Sequence, residues 1–228
     1  MKKASPTYPQ LRFEVPAGAT RLLVIRHGQS ADADPAQPFA LVDGHGDPAL
    51  SIEGRAQADA LAERLAGEPI TEIYISKLRR TAETAAPLAA RLGLVPVIDP
   101  DIHEVHLGEW EGGLFRQMAT EQHPHYLRMH DEERWDAVPG AEPGETFRER
   151  VWKGFLRIVE GHPDEVVAVV VHGGVIGAFL AQVASARPFA FNGADNTSIS
   201  HVVHAAGKWT LRGFNDTAHL GTGFTTDR

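Results

Sequence analysis

The chain contains the apolar stretch Leu22-Leu23-Val24-Ile25, followed directly by Arg26-His27-Gly28-Gln29-Ser30. A short, continuous apolar run predicts a strand that is buried on both faces, as in a parallel sheet. Arg26 and His27 then emerge at the carboxyl end of this strand, where open α/β sheets place their ligand sites. Gly28 is expected to let a ligand approach the main chain closely. The stretch therefore predicts an α/β fold with a site at the end of its first strand.

The residue types after this strand suit a phosphate group. Arginine offers a planar fork of donors that matches phosphate oxygens. Histidine is a nitrogen nucleophile that can carry a transferred group covalently. Taken alone, the same residues are equally consistent with a polar turn that ends a strand.

Two further strand-like runs end in residues of the same kind. Ser76-Lys77-Leu78-Arg79-Arg80 follows Ile73-Tyr74-Ile75 and opens a predicted helix, whose N-terminal N–H groups and dipole favour an anion. His172-Gly173-Gly174 follows the β-branched run 166–171. A single histidine of this kind is more often structural than catalytic. Three such strand ends together predict a shared anion site.

The remaining patterns alternate between helix and strand. Helices are predicted over 51–65, 114–123, 145–159 and 175–183, a short strand over 95–98, and an antiparallel pair over 199–204 and 209–212. A polar, histidine-rich stretch is expected after His123 as far as Trp135. The alternation predicts a three-layer α/β/α sandwich with a mostly parallel central sheet. We expect an N-terminal arm (1–20), one domain (21–220) with a small cap insertion at about 114–143, and a C-terminal tail (221–228).

Composition restricts the classes of function. A chain of 228 residues can bury one α/β core, and the absence of cysteine excludes a thiol nucleophile, a thiolate metal site and disulfides. A formal net charge of −8 argues against a nucleic-acid partner. No apolar stretch approaches the ~20 residues of a membrane span, so no membrane partner is expected. The first residues lack the apolar core of a signal peptide, which makes the cytoplasm the expected location. A homodimer is one of the states that the sequence allows.

Taken together, these motifs resemble the histidine phosphatase superfamily, the phosphoglycerate mutase-like proteins. The matching segments follow the family order over roughly 21–220 and include Arg26-His27-Gly28, Ser76-x-Leu78-x-Arg80, Glu104-x-x-x-Gly108-x-Trp110, Pro143-Gly144-Glu145-Thr146 and Val171-His172-Gly173-Gly174. The resemblance implies the three-layer α/β/α fold and chemistry on a small-molecule phosphate ester. It also implies that no metal ion and no other cofactor is needed.

The expected chemistry assigns a role to each site residue. His27 attacks phosphorus and forms a phosphohistidine. The phosphate oxygens are expected to meet Arg26, Arg80, Ser30, Gly173 and a donating His172. The resemblance makes Glu104 the acid that protonates the leaving oxygen, with Glu109 and Glu111 as rivals by composition. For Glu104 to donate near neutral pH, burial or a neighbouring carboxylate must keep it protonated.

Histidines around Glu104 allow a metal site as an alternative. His103 and His106 flank Glu104, and His123, His125 and His130 cluster further along. Histidine and carboxylate ligate zinc, but the His-Glu-x-x-His pattern is absent from the sequence. A metal-independent site is therefore the better prediction.

The resemblance leaves two other functions open. Cofactor-dependent phosphoglycerate mutases usually continue the first motif with tryptophan and asparagine, where this chain has Asp32 and Ala33. Their arginine- and tyrosine-rich segment is also not evident after Leu114. These departures favour a metal-independent phosphomonoester hydrolase on a small phosphorylated metabolite over a mutase-type phosphotransferase. A catalytically silent phosphate-binding or regulatory protein is disfavoured, because every core family residue is present.

Overall fold

The computed structural model describes residues 8–221, which form a six-stranded sheet in the order β5-β4-β6-β1-β7-β8. The parallel strands are β1 Thr20–Arg26, β4 Ile70–Ile75, β5 Val97–Ile98 and β6 Val166–Val171. An antiparallel edge follows, made of β7 Ile199–Ala205 and β8 Lys208–Asp216. A separate hairpin pairs β2 Leu41–Val42 with β3 His45–Gly46.

Helices cover both faces of this sheet. α1 Ile52–Leu65 and α2 Arg79–Leu92 pack on one face, and α5 Gly144–Gly161 and α6 Gly173–Val183 pack on the other. Alternate side chains of β6 enter the two cores, so every residue of that strand is buried. This explains why the strand reads as a continuous apolar run. The predicted three-layer sandwich with a mostly parallel sheet is confirmed.

The backbone that follows β1 packs very closely against the first turn of α1. A Cβ added at Gly28 would lie 2.6 Å from the carbonyl oxygen of Gly54, and one added at Gly54 would lie 1.9 Å from that of Gln29. Ser51 caps α1 by accepting a hydrogen bond from the Gly54 amide at 3.0 Å. The contact with Gly54 thus gives Gly28 a packing role within the protein.

Residues 114–143, the segment predicted as a cap insertion and called the cap below, contain α3 Leu114–Thr120 and α4 Pro124–Asp131. The helix predicted as far as His123 is too long, because Gln122 takes a positive φ of 53° and ends it. The predicted polar stretch instead contains α4, with Pro124 in its first turn and the His123 side chain as its cap. Only Met129 of α4 is buried, so the helix shows little of the apolar periodicity by which a sequence reveals one.

The chain before β1 has no helix or strand between residues 8 and 19, and most of its residues are exposed. Its Phe13 ring lies 3.9 Å from the guanidinium carbon of Arg212 on β8. Residues 1–7 of the predicted arm and 222–228 of the predicted tail lie outside the described residues. None of the helices within residues 8–221 combines the length and the apolar character needed to cross a membrane.

Candidate active site

Three neighbouring strands end at the same place. The sheet order places β6 between β4 and β1, and these strands lead into Ser76, His172 and His27 respectively. The rings of His27 and His172 meet edge to face, with centroids 5.2 Å apart. His27 also lines a cavity of about 270 Å³ together with Arg26 and Arg80. The structure thus brings the predicted strand-end residues together.

Two hydrogen bonds define the tautomer of His27. Its Nδ1 lies 2.7 Å from the carbonyl oxygen of Gly28, which can only accept, so Nδ1 carries the proton. The Nε of Arg80 donates to His27 Nε2 at 3.3 Å, which requires a lone pair on that nitrogen. His27 therefore presents an unprotonated Nε2 beside a guanidinium.

The surroundings also keep His27 uncharged. Burial lowers its pKa well below the usual value, and the positive charges of Arg80 and Arg26 lower it further. A neutral imidazole is the form that can act as a nucleophile. The same two arginines that suit a phosphate thus help to keep His27 in the form that the predicted chemistry requires.

His172 is completely buried, and its Nε2 lies 2.9 Å from the hydroxyl of Ser76. Ser76 also accepts a hydrogen bond from the Leu78 amide, and its Oγ lies 3.1 Å from that of Thr81. Within residues 8–221 the buried Nδ1 of His172 has no hydrogen-bond partner. Burial lowers the pKa of His172 well below its usual value, and the positive charge of Arg80 lowers it further. His172 does not line the cavity of His27, so its role as a donor to phosphate stays a prediction.

The two predicted arginines are held by backbone carbonyls. Arg80 is 8 % exposed and donates to Gly46 O at 2.9 Å. Arg26 donates to Ala194 O at 2.5 Å. Gly173, the first residue of α6, lies beside Arg26, since a Cβ there would be 3.6 Å from its Nε. Both guanidiniums line the cavity that His27 faces.

Glu104 lines the same cavity, and backbone amides hold its carboxylate. Oε1 accepts from Val105 N at 3.0 Å, and Oε2 accepts from Gly174 N at 3.2 Å. The rival Glu111 uses both oxygens to accept from the amides of Gly46 and Leu107. The other rival, Glu109, is exposed. Of the three carboxylates, Glu104 is thus the one that lines the cavity and is held against Gly174 of α6, and its role as the acid stays a prediction.

Ser30 is buried, but it does not line the cavity of His27. Its Oγ accepts from Arg116 Nη2 at 2.7 Å, and Arg116 Nη1 donates to Ala31 O at 2.7 Å. Arg116 belongs to α3 of the cap and does line that cavity. This third arginine was missed at the sequence level, because nothing in the pattern of the cap places it near His27.

The histidines that suggested a metal site lie in two separate groups. His103 and His106 each pack edge to face on the buried His45, at centroid distances of 4.9 and 5.1 Å. His123 and His125 stack on each other in the cap. Within residues 8–221, no group of three or more His, Cys, Asp or Glu is placed to hold a metal ion.

A larger cavity of about 640 Å³ adjoins the one at His27, and Arg116 lines both. Its wall carries the carboxylates of Asp32, Asp34 and Glu121. Arg26, His27 and Arg80 line only the smaller cavity. The larger one offers space next to it, with an excess of negative charge.

Comparisons with known proteins identify the family of this chain. The model of the histidine phosphatase superfamily (branch 1) matches residues 22–217. The chain is 35% identical over 212 residues to phosphoglycerate mutase-like protein 4 of Arabidopsis thaliana, covering 89% of this chain and 88% of the relative. It is 28% identical over 218 residues to the metal-independent phosphoserine phosphatase of the same plant, covering 92% and 87%. The solved structure of a mycobacterial glucosyl-3-phosphoglycerate phosphatase matches with a TM-score of 0.73 at 30% identity, covering 87% of this chain and 100% of that one.

The chain belongs to the histidine phosphatase superfamily. It is a phosphatase of that family, as its phosphatase-named relatives and their shared fold indicate.

Proposed function

We propose that this protein is a metal-independent phosphomonoester hydrolase that acts through a phosphohistidine on a small phosphorylated metabolite. The observation that carries the proposal is the state of His27. It is neutral, its Nδ1 proton is bound by Gly28 O, and its Nε2 lone pair faces the cavity next to Arg80. A nucleophile with a fixed tautomer needs no further preparation before substrate binds.

In the first step, the Nε2 lone pair of His27 attacks phosphorus in line with the bond to the leaving oxygen. The phosphorus–nitrogen bond forms as the phosphorus–oxygen bond breaks, and the product is a phosphohistidine. Arg80 releases Nε2 and donates to the phosphoryl oxygens, together with Arg26 and the Nδ1–H of His172. Preorganised donors of this kind stabilise the charge that develops in phosphoryl transfer.

The leaving oxygen takes its proton from Glu104. Water then attacks the phosphorus of the phosphohistidine and gives a proton to the Glu104 carboxylate. Inorganic phosphate leaves, and His27 and Glu104 return to their starting states. Atoms and charge balance without a metal ion, because Arg26 and Arg80 carry the positive charge that the phosphoryl group needs.

The larger cavity supports hydrolysis over mutase chemistry. A phosphoglycerate carries a carboxylate, which would lie near Asp32, Asp34 and Glu121, with the guanidinium of Arg116 as the one opposite charge that residues 8–221 place on the same wall. Like charges in one site oppose binding. A phosphate ester whose leaving group is neutral or cationic meets no such opposition, so the proposed metabolite is of that kind.

The test is to trap the intermediate. The wild-type protein, quenched during turnover of para-nitrophenyl phosphate, should carry acid-labile phosphate on the peptide that contains His27. The variant His27→Ala should carry no acid-labile phosphate and should have no activity. A matched control is His130→Ala, because His130 is an exposed histidine of the cap that contacts Tyr126 and Phe189. Turnover near the wild-type rate in His27→Ala would contradict the proposal.

A further inference from the structure

Arg150 of α5 uses all of its hydrogen-bond donors. Its Nε and Nη2 donate to the two carboxylate oxygens of Glu142, each at 2.7 Å. Nη1 donates to the carbonyls of Asp101 and His103 at 2.9 and 2.7 Å, and Nη2 also donates to Glu104 O at 2.9 Å. A guanidinium has five N–H groups, so none is left for a substrate.

This arrangement is largely removed from solvent. The side chains of Arg150 and Glu142 are 15% and 14% exposed. The aromatic ring of Phe147, one turn earlier in α5, lies 4.8 Å from the guanidinium carbon. A bidentate ion pair in such surroundings has one well-defined geometry, and the carbonyls bound to it are fixed with it.

The carbonyls that Arg150 binds belong to the segment that carries Glu104. Residues 104–107 have no helix or strand, so no regular ladder fixes their backbone. Glu104 O receives a second contact from His45, whose Nε2 lies 3.1 Å away. The main chain of Glu104 is therefore held by Arg150 from α5 and by His45 from the β2–β3 hairpin.

We propose that Arg150 is a positioning residue for proton transfer. It fixes the main chain of Glu104, so that the carboxyl group, held against the amide of Gly174, faces the leaving oxygen. The inference rests on the proposed function, in which Glu104 is the acid. It adds a residue that touches neither substrate nor phosphate but determines where the acid stands.

The test uses Arg150→Lys. A lysine keeps the charge that pairs with Glu142, but its compact ammonium cannot span carbonyls on one side and a carboxylate on the other. The leaving group provides the readout, because para-nitrophenolate departs with little protonation and an alkoxide does not. A misplacement near 1 Å costs about 10²-fold, so kcat for glycerol phosphate should fall by roughly that factor, with kcat for para-nitrophenyl phosphate within about threefold of wild type.

Arg157→Met is the matched control. Arg157 lies two turns further along α5 and anchors the same loop through the side chains of Asp99 and Asp101, without a hydrogen bond to His103 or Glu104. It should leave the ratio of the two rates unchanged, even if it lowers the melting temperature. If Arg150→Lys does not fold, Glu142→Gln replaces it, because that change removes the charge partner of Arg150 and one of the two oxygens that accept from it. It should shift the ratio in the same direction by a smaller factor.

The variant Glu104→Gln separates the two hypotheses. A selective loss on glycerol phosphate in both Glu104→Gln and Arg150→Lys, with no further loss in the double variant, supports the positioning role. A selective loss in Glu104→Gln alone, with an equal loss on both substrates or none in Arg150→Lys, overturns the role of Arg150 and leaves the proposed function intact. If neither variant is selective, Glu104 is not the acid and both assignments fail.

Discussion

A substitution at Gly174 tests most directly whether the rate depends on the position of the Glu104 carboxyl group. It is the second residue of α6, and its amide donates to Glu104 Oε2 at 3.2 Å. A Cβ at this position would lie 2.5 Å from Glu104 Oε1, whereas ordinary contact begins at 3.4 Å. The variant Gly174→Ala must therefore move the carboxylate by about 0.9 Å, a displacement near 1 Å that typically costs about 10²-fold in rate.

The stability of Gly174→Ala should behave differently from its activity. Alanine is favoured over glycine in a helix by up to ~1 kcal/mol, which offsets the cost of moving one side chain. For a domain of this size, a change of 1 kcal/mol shifts the melting temperature by about 2–4 °C, so the variant should melt close to wild type. The expected result is a folded protein with a selective loss of rate on alkyl phosphates.

The assay compares kcat/KM for glycerol phosphate and for para-nitrophenyl phosphate with the melting temperature of each variant. Gly161→Ala at the end of α5 is the control, because a Cβ there would have no neighbour within 4 Å. It should keep both rates. The reasoning is refuted if Gly174→Ala hydrolyses glycerol phosphate at the wild-type rate, or if it loses both activities equally.

Three further predictions concern pH, metal ions and substrate charge. The free energy of unfolding should decrease as the pH falls below ~6.5, because burial lowers the pKa of His27 and of His172, so that the unfolded chain binds more protons than the folded protein. Each of the two histidines should contribute a decrease of up to ~1.4 kcal/mol for each pH unit. Urea titrations at several pH values check this, and a flat profile would argue against buried neutral histidines. Activity on para-nitrophenyl phosphate should survive EDTA and be inhibited by vanadate, and a loss that added zinc restores would favour a metal site. The exposed carboxylate of Asp32 lines the larger cavity, so Asp32→Asn should raise kcat/KM for 3-phosphoglycerate by about two- to fivefold relative to glycerol phosphate, and an unchanged ratio would exclude that cavity as the leaving-group site.

The sequence by itself determined the strands and the polar residues that follow them. The runs that became β1 and β6 are continuous and apolar because both faces of these strands are covered by helices, whereas only Ile70, Ile73 and Ile75 of β4 are buried. Such a pattern is a local property that a sequence displays directly. Because parallel strands end at the same edge of a sheet, the sequence predicts that His27, Arg80 and His172 lie close together. The sequence did not predict α4, because most of that helix is exposed to solvent.

Only the tertiary structure determined which hydrogen-bond partners the side chains of the site have. The tautomer of His27 depends on Gly28 O and on Arg80, which lies 53 residues away in the chain. Arg150 meets Glu104 O across 46 residues, and Arg116 reaches Ser30 across 86. These contacts join loops and helix ends that have no periodic pattern of their own. Their partners are chosen by how the layers pack, and a local stretch of sequence does not contain that information.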